Sequence, residues 1–264
     1  MNTATPKISV IISIYNGASD IDRCFESIAS QTEKDFEVIV VDDHSTDETL
    51  QKLQKWRAQE RMLIRIVCNS KNIGLTKSLN KALTLSKAQY IARIDADDVW
   101  HPEKLAHQII FLEENPDIGI VGSNYTARYE RTAKYRSLPE SHEEIQKKIL
   151  RRNPFAHSCI LAQRALIEKV GYYDEMLTYG QDYELWLRLF PHTKFHNLQE
   201  DLCTRYITKT STRKQRAQMW QSIKTRMRYR EMYAYPLWQM IYLFEPLALI
   251  ILPGWLKNLK RRYL

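Results

Sequence analysis

Closely spaced carboxylates follow one of the apolar runs of the sequence. Asp95, Asp97 and Asp98 come directly after the apolar stretch Tyr90–Ile94. Hard oxygen ligands at this spacing are those that Mg²⁺ or Mn²⁺ binds when substrate phosphates complete its octahedron. A cation held there would neutralise a diphosphate and make it a competent leaving group. An Asp-x-Asp pair alone often arises by chance, so its position after a predicted strand is what makes this a candidate metal site.

Two other apolar runs also end in polar residues. Ser13, Tyr15 and Asn16 close the first run, and Asp42 and Asp43 close the second. In open α/β sheets, ligands bind at the carboxyl ends of the strands. A single acid in a loop commonly serves solubility alone, but recurrence after three separate strands favours one shared ligand site.

The elements that position these residues follow from the pattern of apolar positions. Over the first 125 residues, β-branched runs alternate with amphipathic stretches, which is typical of βαβ units around a mostly parallel sheet. Ser45 and Thr46, ahead of two acids, predict a capped start of the second helix. Strands are predicted near Ile8–Ser13, Phe36–Val41, Leu63–Val67, Tyr90–Ile94 and Ile118–Val121, and helices begin near Ala18, Thr46, Thr76 and Pro102.

The chain beyond residue 125 is less regular. Helices are predicted near His142–Leu150 and Gln163–Val170. The segment Gly180–Phe190 is predicted to be a loop that leads into another helix. A basic helix is expected from about Gln215, with an apolar stripe formed by Met219, Trp220, Ile223 and Met227.

Composition and charge indicate the broad class of protein. With 264 residues, 44% of them hydrophobic, the chain can bury a core and is not a disordered tail. The cysteines form no Cys-x-x-Cys pair, which excludes a local zinc ribbon or redox motif and suits a reducing cytoplasm. The net charge of +8 is unevenly distributed, because residues 202–264 hold 13 basic and 2 acidic side chains whereas residues 1–201 hold 26 and 29.

The ordered motifs of the sequence resemble those of family 2 glycosyltransferases with the GT-A fold. The matching segments are Ile8–Asn16, Val38–Asp47, Asn72–Leu75 with Asn80, Tyr90–Asp98 and Gly180–Trp186. The resemblance implies an α/β, Rossmann-like catalytic domain over residues 1–207, with a nucleotide half to about residue 98 and an acceptor half after it. Residues 208–264 would form a helical, basic-amphipathic extension. The implied activity is hexosyl transfer with inversion, from a nucleotide diphosphate sugar, usually UDP-linked, to an acceptor hydroxyl, aided by Mn²⁺ or Mg²⁺.

The resemblance also implies roles for residues on the nucleotide side. Ser13 and Tyr15 would line the pocket for the base, with Tyr15 stacked on its ring. Asp43 would accept a hydrogen bond from the base. Asp97 would bind the metal beside the diphosphate, and Asp95 would support the nucleotide sugar or the metal.

Asp182 matches the general base of the family. A carboxylate suits this role because the acceptor hydroxyl must lose its proton as it attacks the anomeric carbon, and a single inversion needs only one base. The family often has Glu-Asp where this chain has Gln181-Asp182. The substitution keeps the base and bears on acceptor contacts or on the acidity of the base.

Three residues are candidate contacts to the acceptor or the diphosphate: His157, Gln181 and Trp186. A neutral histidine could donate to a phosphate or orient the base, and a structural role in a turn is an equal alternative for His157. Trp186, at helical spacing from Leu185 and Leu189, is more typical of a core position.

Arginines of the middle region leave another possibility open. Scattered arginines are usually solvated, so none is assigned a role, although guanidinium groups also suit a phosphorylated acceptor. The residues concerned are Arg128, Arg131, Arg136, Arg151 and Arg152.

The basic tail predicts attachment to a membrane surface. Its apolar segment Leu237–Leu252 spans 16 residues and contains Glu245 and Pro246, so it is too short for the roughly 20 residues of a bilayer span. Aromatic side chains flanked by cations favour an interfacial segment at the inner face of the plasma membrane, next to a lipid-linked acceptor such as a polyprenyl diphosphate glycan. The alternative is a helix that packs on the catalytic domain or on a partner subunit. The residues concerned are Trp238, Tyr242, Phe244, Trp255, Lys257, Lys260, Arg261 and Arg262.

The expected function is therefore the extension of a bacterial-type surface glycan, such as capsule, O-antigen or exopolysaccharide. A nucleotidyltransferase that makes sugar nucleotides would need a glycine-rich basic loop after its first strand, which Tyr15–Ala18 does not supply. A receiver domain would carry the acidic pair Asp42-Asp43 after its first strand, whereas a full strand-helix unit precedes the pair here. A nucleic-acid-binding protein using residues 205–230 would leave the strand-end carboxylates unexplained.

Overall fold

The computed structural model describes residues 5–207, 212–230 and 232–233, which belong to two compact units. The first unit contains residues 5–149 and 153–207, and the second contains residues 150–152 with the described residues from 212 onward. All strands of these described residues lie in the first unit.

The first half of the sheet is parallel, as the sequence predicts. β1 (Ile8–Ile14) lies between β2 (Phe36–Asp42) and β4 (Tyr90–Arg93), and β3 (Leu63–Cys68) pairs with β2. β1 and β2 are buried on both faces, which explains why they appear in the sequence as continuous apolar runs. The parallel direction brings the polar ends of these strands to one edge of the sheet.

The helices that follow these strands are α1 (Ile21–Ala29), α2 (Thr49–Ala58), α3 (Leu75–Leu85) and α4 (Lys104–Glu114). α1 buries Ile21, Cys24, Phe25 and Ile28, the spacing of an amphipathic helix on a core. Phe25 contacts Trp56 of α2, with ring centroids 5.8 Å apart. The core of this half is therefore built from the predicted apolar faces.

The second half of the sheet is mixed, and the sequence predicts only the first part of one of its strands, near Ile118–Val121. The strands are β5 (Val99–Trp100), β6 (Ile118–Arg128), β7 (Ala133–Arg136), β8 (Leu161–Gln163) and β9 (Lys194–Tyr206). The strand order is β3-β2-β1-β4-β8-β6-β9-β5, and β7 pairs with β6. β9 runs parallel to β6, whereas β8 is antiparallel to both β4 and β6.

The remaining helices begin close to their predicted positions. They are α5 (His142–Lys148), α6 (Arg164–Lys169) and α7 (Gln181–Leu189) in the first unit and α8 (Thr212–Arg230) in the second. Of the predicted stripe on α8, Ile223 is buried whereas Trp220 and Met227 are exposed. Within residues 5–207, 212–230 and 232–233, no helix combines the length and apolarity needed to span a bilayer. The tail residues predicted at a membrane surface, from Trp238 to Arg262, lie outside the described residues.

Candidate active site

The loops after β1 and β2 are joined by hydrogen bonds at the carboxyl edge of the sheet. The backbone N–H of Asn16 donates to Ser45 Oγ at 3.0 Å, and Asn16 Oδ1 accepts from the N–H of Thr46 at 2.8 Å. Asn16 adopts a left-handed backbone with φ of 51°, a conformation that asparagine tolerates better than most residues. The Asp47 carboxylate accepts from the N–H of Ala18 at 3.1 Å.

The predicted capping role of Ser45 and Thr46 is therefore wrong. α2 begins at Thr49, and its N-cap residue, Glu48, makes no side-chain cap. Ser45 and Thr46 instead bond to Asn16 across the gap between the two loops. Ser45 and Thr46 join the two loops and do not cap α2, although their spacing in the sequence predicts a cap.

Ser13, Tyr15 and Asp43 lie at this same edge. Ser13 is half-buried beside Val41 of β2, and Tyr15 is 52% exposed. Asp43 is buried, and its carboxylate accepts hydrogen bonds from the N–H groups of Ile73 at 2.9 Å and Gly74 at 2.8 Å. The three residues that the sequence predicts at the base pocket thus lie at the carboxyl ends of the paired strands β1 and β2.

The geometry around Asp43 depends on the loop between β3 and α3. Gly74 has a φ of 89°, a left-handed conformation that a glycine adopts without strain, and its amide points at Asp43. Asn69 Nδ2 also donates to Asp43, at 2.8 Å. Burial opposes ionisation of Asp43, but the hydrogen bonds from Ile73, Asn69 and Gly74 outweigh it and lower its pKa below the ordinary value. The site therefore presents an oriented, ionised carboxylate.

The carboxylates of Asp95, Asp97 and Asp98 form one cluster after β4. A single oxygen from each lies within 4.8 Å of the others. Arg93 forms a two-point ion pair with Asp95, one of whose hydrogen bonds measures 2.6 Å. The Asp97 carboxylate has no hydrogen-bond or ion-pair partner from another residue in the described part of the chain.

Asp98 is the buried member of the cluster. It accepts hydrogen bonds from Ser158 Oγ and from the backbone N–H of Tyr206, the latter at 3.0 Å. Arg205 Nε lies 3.4 Å from the same carboxylate. Ser158 Oγ also accepts from the N–H of Asp95 at 3.1 Å, so one hydroxyl holds both ends of the acidic turn.

Burial, mutual repulsion and the neighbouring arginines shift the pKa values of the three carboxyl groups in different directions. Burial and the charge of Asp95 raise the pKa of Asp98 to about 6, and the same two causes raise the pKa of Asp97. Burial also opposes ionisation of Asp95, but Arg93 outweighs it and lowers the pKa of Asp95. A divalent cation fits this donor set, because the oxygens are hard ligands and the unpartnered Asp97 is available to it.

Asp182 occupies the first turn of α7. The helix begins after Gly180, whose φ of 66° again favours glycine, and Asn153 Nδ2 donates to Asp182 Oδ2 at 2.7 Å. Gln181 beside it is buried. The partly positive helix start and one amide donor thus hold the carboxylate that the sequence predicts as the base.

His157 and Tyr173 form a buried pair. His157 Nε2 lies 2.7 Å from the Tyr173 hydroxyl. Burial, together with the charges of Arg93 and Arg205, lowers the pKa of His157 well below its ordinary value, so the ring is neutral near pH 7. Burial raises the pKa of Tyr173, and the charges of Asp182 and Asp95 both add to this effect. Asp182 and the acidic cluster therefore act on the same buried hydroxyl.

Asn80 fixes the position of Tyr173. Its side chain donates to the Tyr173 carbonyl at 2.9 Å and accepts from the Tyr173 N–H at 3.0 Å. Asn80 lies on α3, beside the parallel half of the sheet, whereas Tyr173 precedes α7. The motif residue thus couples the two halves of the unit.

Trp186 lies behind this pair. It is fully buried, with its ring edge-on to Phe155 at 5.6 Å and to His157 at 5.9 Å between centroids. Its indole Nε1 has no hydrogen-bond partner in the described part of the chain. The contact to an acceptor that the sequence suggests for Trp186 stays a prediction, and the packing is that of a core residue supporting His157.

Sequence reasoning missed the residues that hold the cluster: Arg93, Ser158, Arg205, Tyr206 and Arg23. The sequence could have indicated Arg93, because a residue two positions before Asp95 at the end of a strand points to the same face of the sheet. Arg205 and Tyr206 lie on β9, a strand that the sequence does not predict.

The profile of the family described as Glycosyl transferase family 2 matches residues 9–171. The chain belongs to glycosyltransferase family 2. This assignment selects the glycosyltransferase among the activities that the sequence left open.

Curated relatives of this family 2 chain extend the match. It is 35% identical over 201 residues to the putative glycosyltransferase EpsE of Bacillus subtilis, covering 75% of this chain and 72% of the relative. It is 33% identical over 185 residues to the amylovoran biosynthesis glycosyltransferase AmsE of Erwinia amylovora, covering 69% of this chain and 68% of the relative.

Solved structures show that the fold is GT-A. TarS of S. aureus in complex with UDP-GlcNAc matches with a TM-score of 0.73 and 21% identity, over 91% of this chain and 71% of that one. The mannosyltransferase PcManGT of Pyrobaculum calidifontis, in complex with GDP-Man and Mn²⁺, matches with a TM-score of 0.68 and 19% identity, over 94% of this chain and 70% of that one.

Proposed function

We propose that this family 2 enzyme transfers a hexose, with inversion, from a UDP-linked sugar to a hydroxyl of a glycan acceptor. The observation that carries the proposal is the cluster of Asp95, Asp97 and Asp98 at the strand edge that also bears Asp43. Carboxylates gathered at this edge suit a nucleotide diphosphate, whose base and phosphates need separate polar partners. The complexes of TarS with UDP-GlcNAc and of PcManGT with GDP-Man support a nucleotide sugar as donor.

The base of the donor would bind between Tyr15 and Asp43. Tyr15 offers an exposed aromatic face, and Ser13 lies next to it on the strand. Asp43 is held ionised by the amides of Ile73 and Gly74, so it can accept a hydrogen bond from the ring imide N–H of a uracil. A guanine offers its own N–H groups to the same carboxylate, so the choice of base is part of the test below.

Asp97, assisted by Asp95, would hold Mn²⁺ or Mg²⁺ beside the diphosphate. The bound cation supplies charge neutralisation of the leaving diphosphate. Arg93 and Ser158 keep Asp95 and Asp98 in place, and the unpartnered carboxylate of Asp97 would be available to the cation. The Mn²⁺ in the PcManGT complex supports a divalent cation here.

Asp182 would take the proton of the acceptor hydroxyl as that oxygen attacks the anomeric carbon. Asn153 bonds one oxygen of Asp182 and leaves the other for the acceptor. Attack opposite the leaving group forms a glycosidic bond to the acceptor oxygen and breaks the bond from the anomeric carbon to the phosphate oxygen. The nucleoside diphosphate leaves with that electron pair, so the anomeric configuration inverts.

The acceptor is a growing glycan of a surface polysaccharide, linked to a polyprenyl diphosphate at the inner face of the plasma membrane. The name of AmsE, a relative in amylovoran biosynthesis, supports the polysaccharide class. A peripheral enzyme, attached by its basic tail, would reach such an acceptor from the cytoplasm.

Calorimetric binding and slow hydrolysis across a panel of UDP-, GDP- and dTDP-sugars test the donor. Each nucleotide sugar is measured with Mn²⁺, with Mg²⁺ and with EDTA. We expect tight, metal-dependent binding of one UDP-sugar. Binding of GDP-sugars alone would overturn the UDP assignment. If a folded sample supplied with metal neither binds nor hydrolyses any nucleotide sugar of the panel, the proposal of a nucleotide sugar as donor is overturned.

A further inference from the structure

A basic hairpin borders the acidic cluster. We call residues 125–136 the arginine hairpin; they comprise the end of β6, a tight turn and β7, and the turn is closed by a 2.7 Å bond from the N–H of Tyr129 to the Thr132 carbonyl. The hairpin has one acidic residue, Glu130, against four basic ones. Its basic and aromatic residues are Arg128, Arg131, Lys134, Arg136, Tyr125, Tyr129 and Tyr135.

Two arginines of this hairpin lack a carboxylate partner. Arg128 and Arg131 are exposed, and neither makes an ion pair or hydrogen bond to an acidic side chain in the part of the chain that the structure describes. The arginines of the acidic cluster differ, since Arg93 pairs with Asp95 and Arg205 pairs with Asp98. Among the described residues, the hairpin therefore presents two arginines without an acidic partner.

The hairpin is connected to the acidic cluster through Tyr206. β6 pairs with β9 so that Arg128 lies beside Tyr206, and the Arg128 guanidinium is 6.0 Å from the centre of the Tyr206 ring. Arg23 stacks on the same ring at 3.8 Å and donates to the Asp97 carbonyl at 3.0 Å. The N–H of Tyr206 bonds to Asp98. A ligand that extends from the cluster along this edge meets the hairpin next.

We infer that the arginine hairpin binds the phosphate group of the acceptor, an inference that rests on the proposed function. In the proposed function, the acidic cluster and its cation bind the diphosphate of the donor. The donor therefore does not account for the exposed arginines of the hairpin. A neutral sugar acceptor would gain nothing from unpaired guanidinium groups, whereas a prenyl diphosphate offers oxygens that arginine binds in pairs.

The test uses farnesyl diphosphate as the probe and the full-length protein in EDTA, where the acidic cluster has no cation with which to bind a diphosphate. The variant Arg128→Ala/Arg131→Ala is compared with Lys55→Ala/Arg57→Ala, which removes two equally exposed cations from α2. We expect the hairpin variant to bind farnesyl diphosphate about tenfold or more weakly, and the α2 variant to stay within about twofold of wild type. Equal weakening in both variants, or none in either, overturns the inference.

Two further measurements locate a failure. UDP binding with Mn²⁺ should be equal in wild type and hairpin variant; if wild type itself binds no nucleotide sugar, the proposed function fails and this inference falls with it. Vesicles of phosphatidylglycerol and phosphatidylcholine separate an acceptor phosphate from a lipid headgroup. Loss of vesicle binding by the hairpin variant with unchanged binding of farnesyl diphosphate would assign the hairpin to the bilayer and overturn the acceptor role.

Discussion

The two halves of the sheet hold the carboxylates of the candidate site in different ways. Asp43, in the parallel half, is bonded by Asn69, Ile73 and Gly74, all from one neighbouring loop. Asp98 is bonded by Ser158, Arg205 and Tyr206, which follow it by 60, 107 and 108 residues. The surroundings of Asp43 are thus organised by one nearby loop, whereas the acidic cluster takes its shape only when the mixed half has folded against it.

The mixed half therefore shapes the acidic cluster as well as the surroundings of Asp182. Ser158 and the end of β9 hold Asp95 and Asp98, the carboxylates next to the proposed metal ligand Asp97. In the other direction, Asn80 of the parallel half holds the loop of Tyr173 that precedes the predicted base. Variants of single residues in each half test whether the two halves depend on each other in this way.

The largest effect is expected from Asp182→Asn, which separates transfer from donor binding. The amide keeps the shape of the side chain and its bond to Asn153 but cannot take a proton. We expect turnover to fall by roughly 10²–10⁴ while UDP affinity stays within about twofold. Transfer kinetics and calorimetry of UDP with Mn²⁺ measure the two quantities. Near-normal turnover would remove Asp182 from the role of base.

The next largest effect is expected from Asp97→Asn, which removes the carboxylate without a partner. We expect the gain in UDP affinity on adding Mn²⁺ to shrink by about 100-fold or more, while the weak affinity in EDTA changes little. The matched control is Asp117→Asn, an exposed carboxylate paired with Lys194. A Mn²⁺ effect of wild-type size in Asp97→Asn would contradict its place as a metal ligand.

A smaller effect is expected from Ser158→Ala, which tests whether the mixed half shapes the metal cluster. Loss of the hydroxyl frees the Asp98 carboxylate and the N–H of Asp95, and we expect Mn²⁺ affinity to fall about 10–100-fold. Electron paramagnetic resonance of free Mn²⁺ gives this affinity without any turnover.

Ser123→Ala is the matched control, because Ser123 is equally buried and its hydroxyl has no partner among the described residues. Equal Mn²⁺ affinities in the two serine variants would show that the cluster keeps its geometry without Ser158. Ser158→Thr, which retains the hydroxyl, should recover part of the loss.

The smallest effect concerns Lys104, a fully buried lysine at the start of α4. Its ammonium donates to Gln108 at 2.6 Å, and burial lowers its pKa to about 8. Between pH 8 and the unfolded value of 10.5 the folded state binds fewer protons than the unfolded chain, so stability rises with pH across that window.

The free energy of unfolding of wild type relative to Lys104→Met should therefore increase by about 2 kcal/mol between pH 7 and pH 10. Chemical denaturation at the two pH values measures it. Lys147→Met, at an exposed lysine of α5, should give no such change. A flat difference for Lys104→Met would mean that the buried ammonium keeps an ordinary pKa.

Much of the parallel half could be predicted, because its strands are short segments rich in apolar and β-branched residues. The mixed half could not, since β9 carries Asn197, Gln199, Glu200 and Asp201 within its length and shows no simple alternation. Backbone pairing with β6 sustains this strand where its side chains give no signal. The missed strand also concealed Arg205 and Tyr206, and with them the partners of Asp98.

Short segments with their own pattern were enough to predict the family and the parallel strands and to select Asp43, Asp95, Asp97, Asp98 and Asp182 as candidates. The fold was needed to learn which groups hold those carboxylates, that Ser45 and Thr46 join loops instead of capping a helix, and that Arg128 lies beside Tyr206. A hydrogen bond or an ion pair depends on distance in space, and the partners of Asp98, 60 or more positions away along the chain, come near it only when the chain folds.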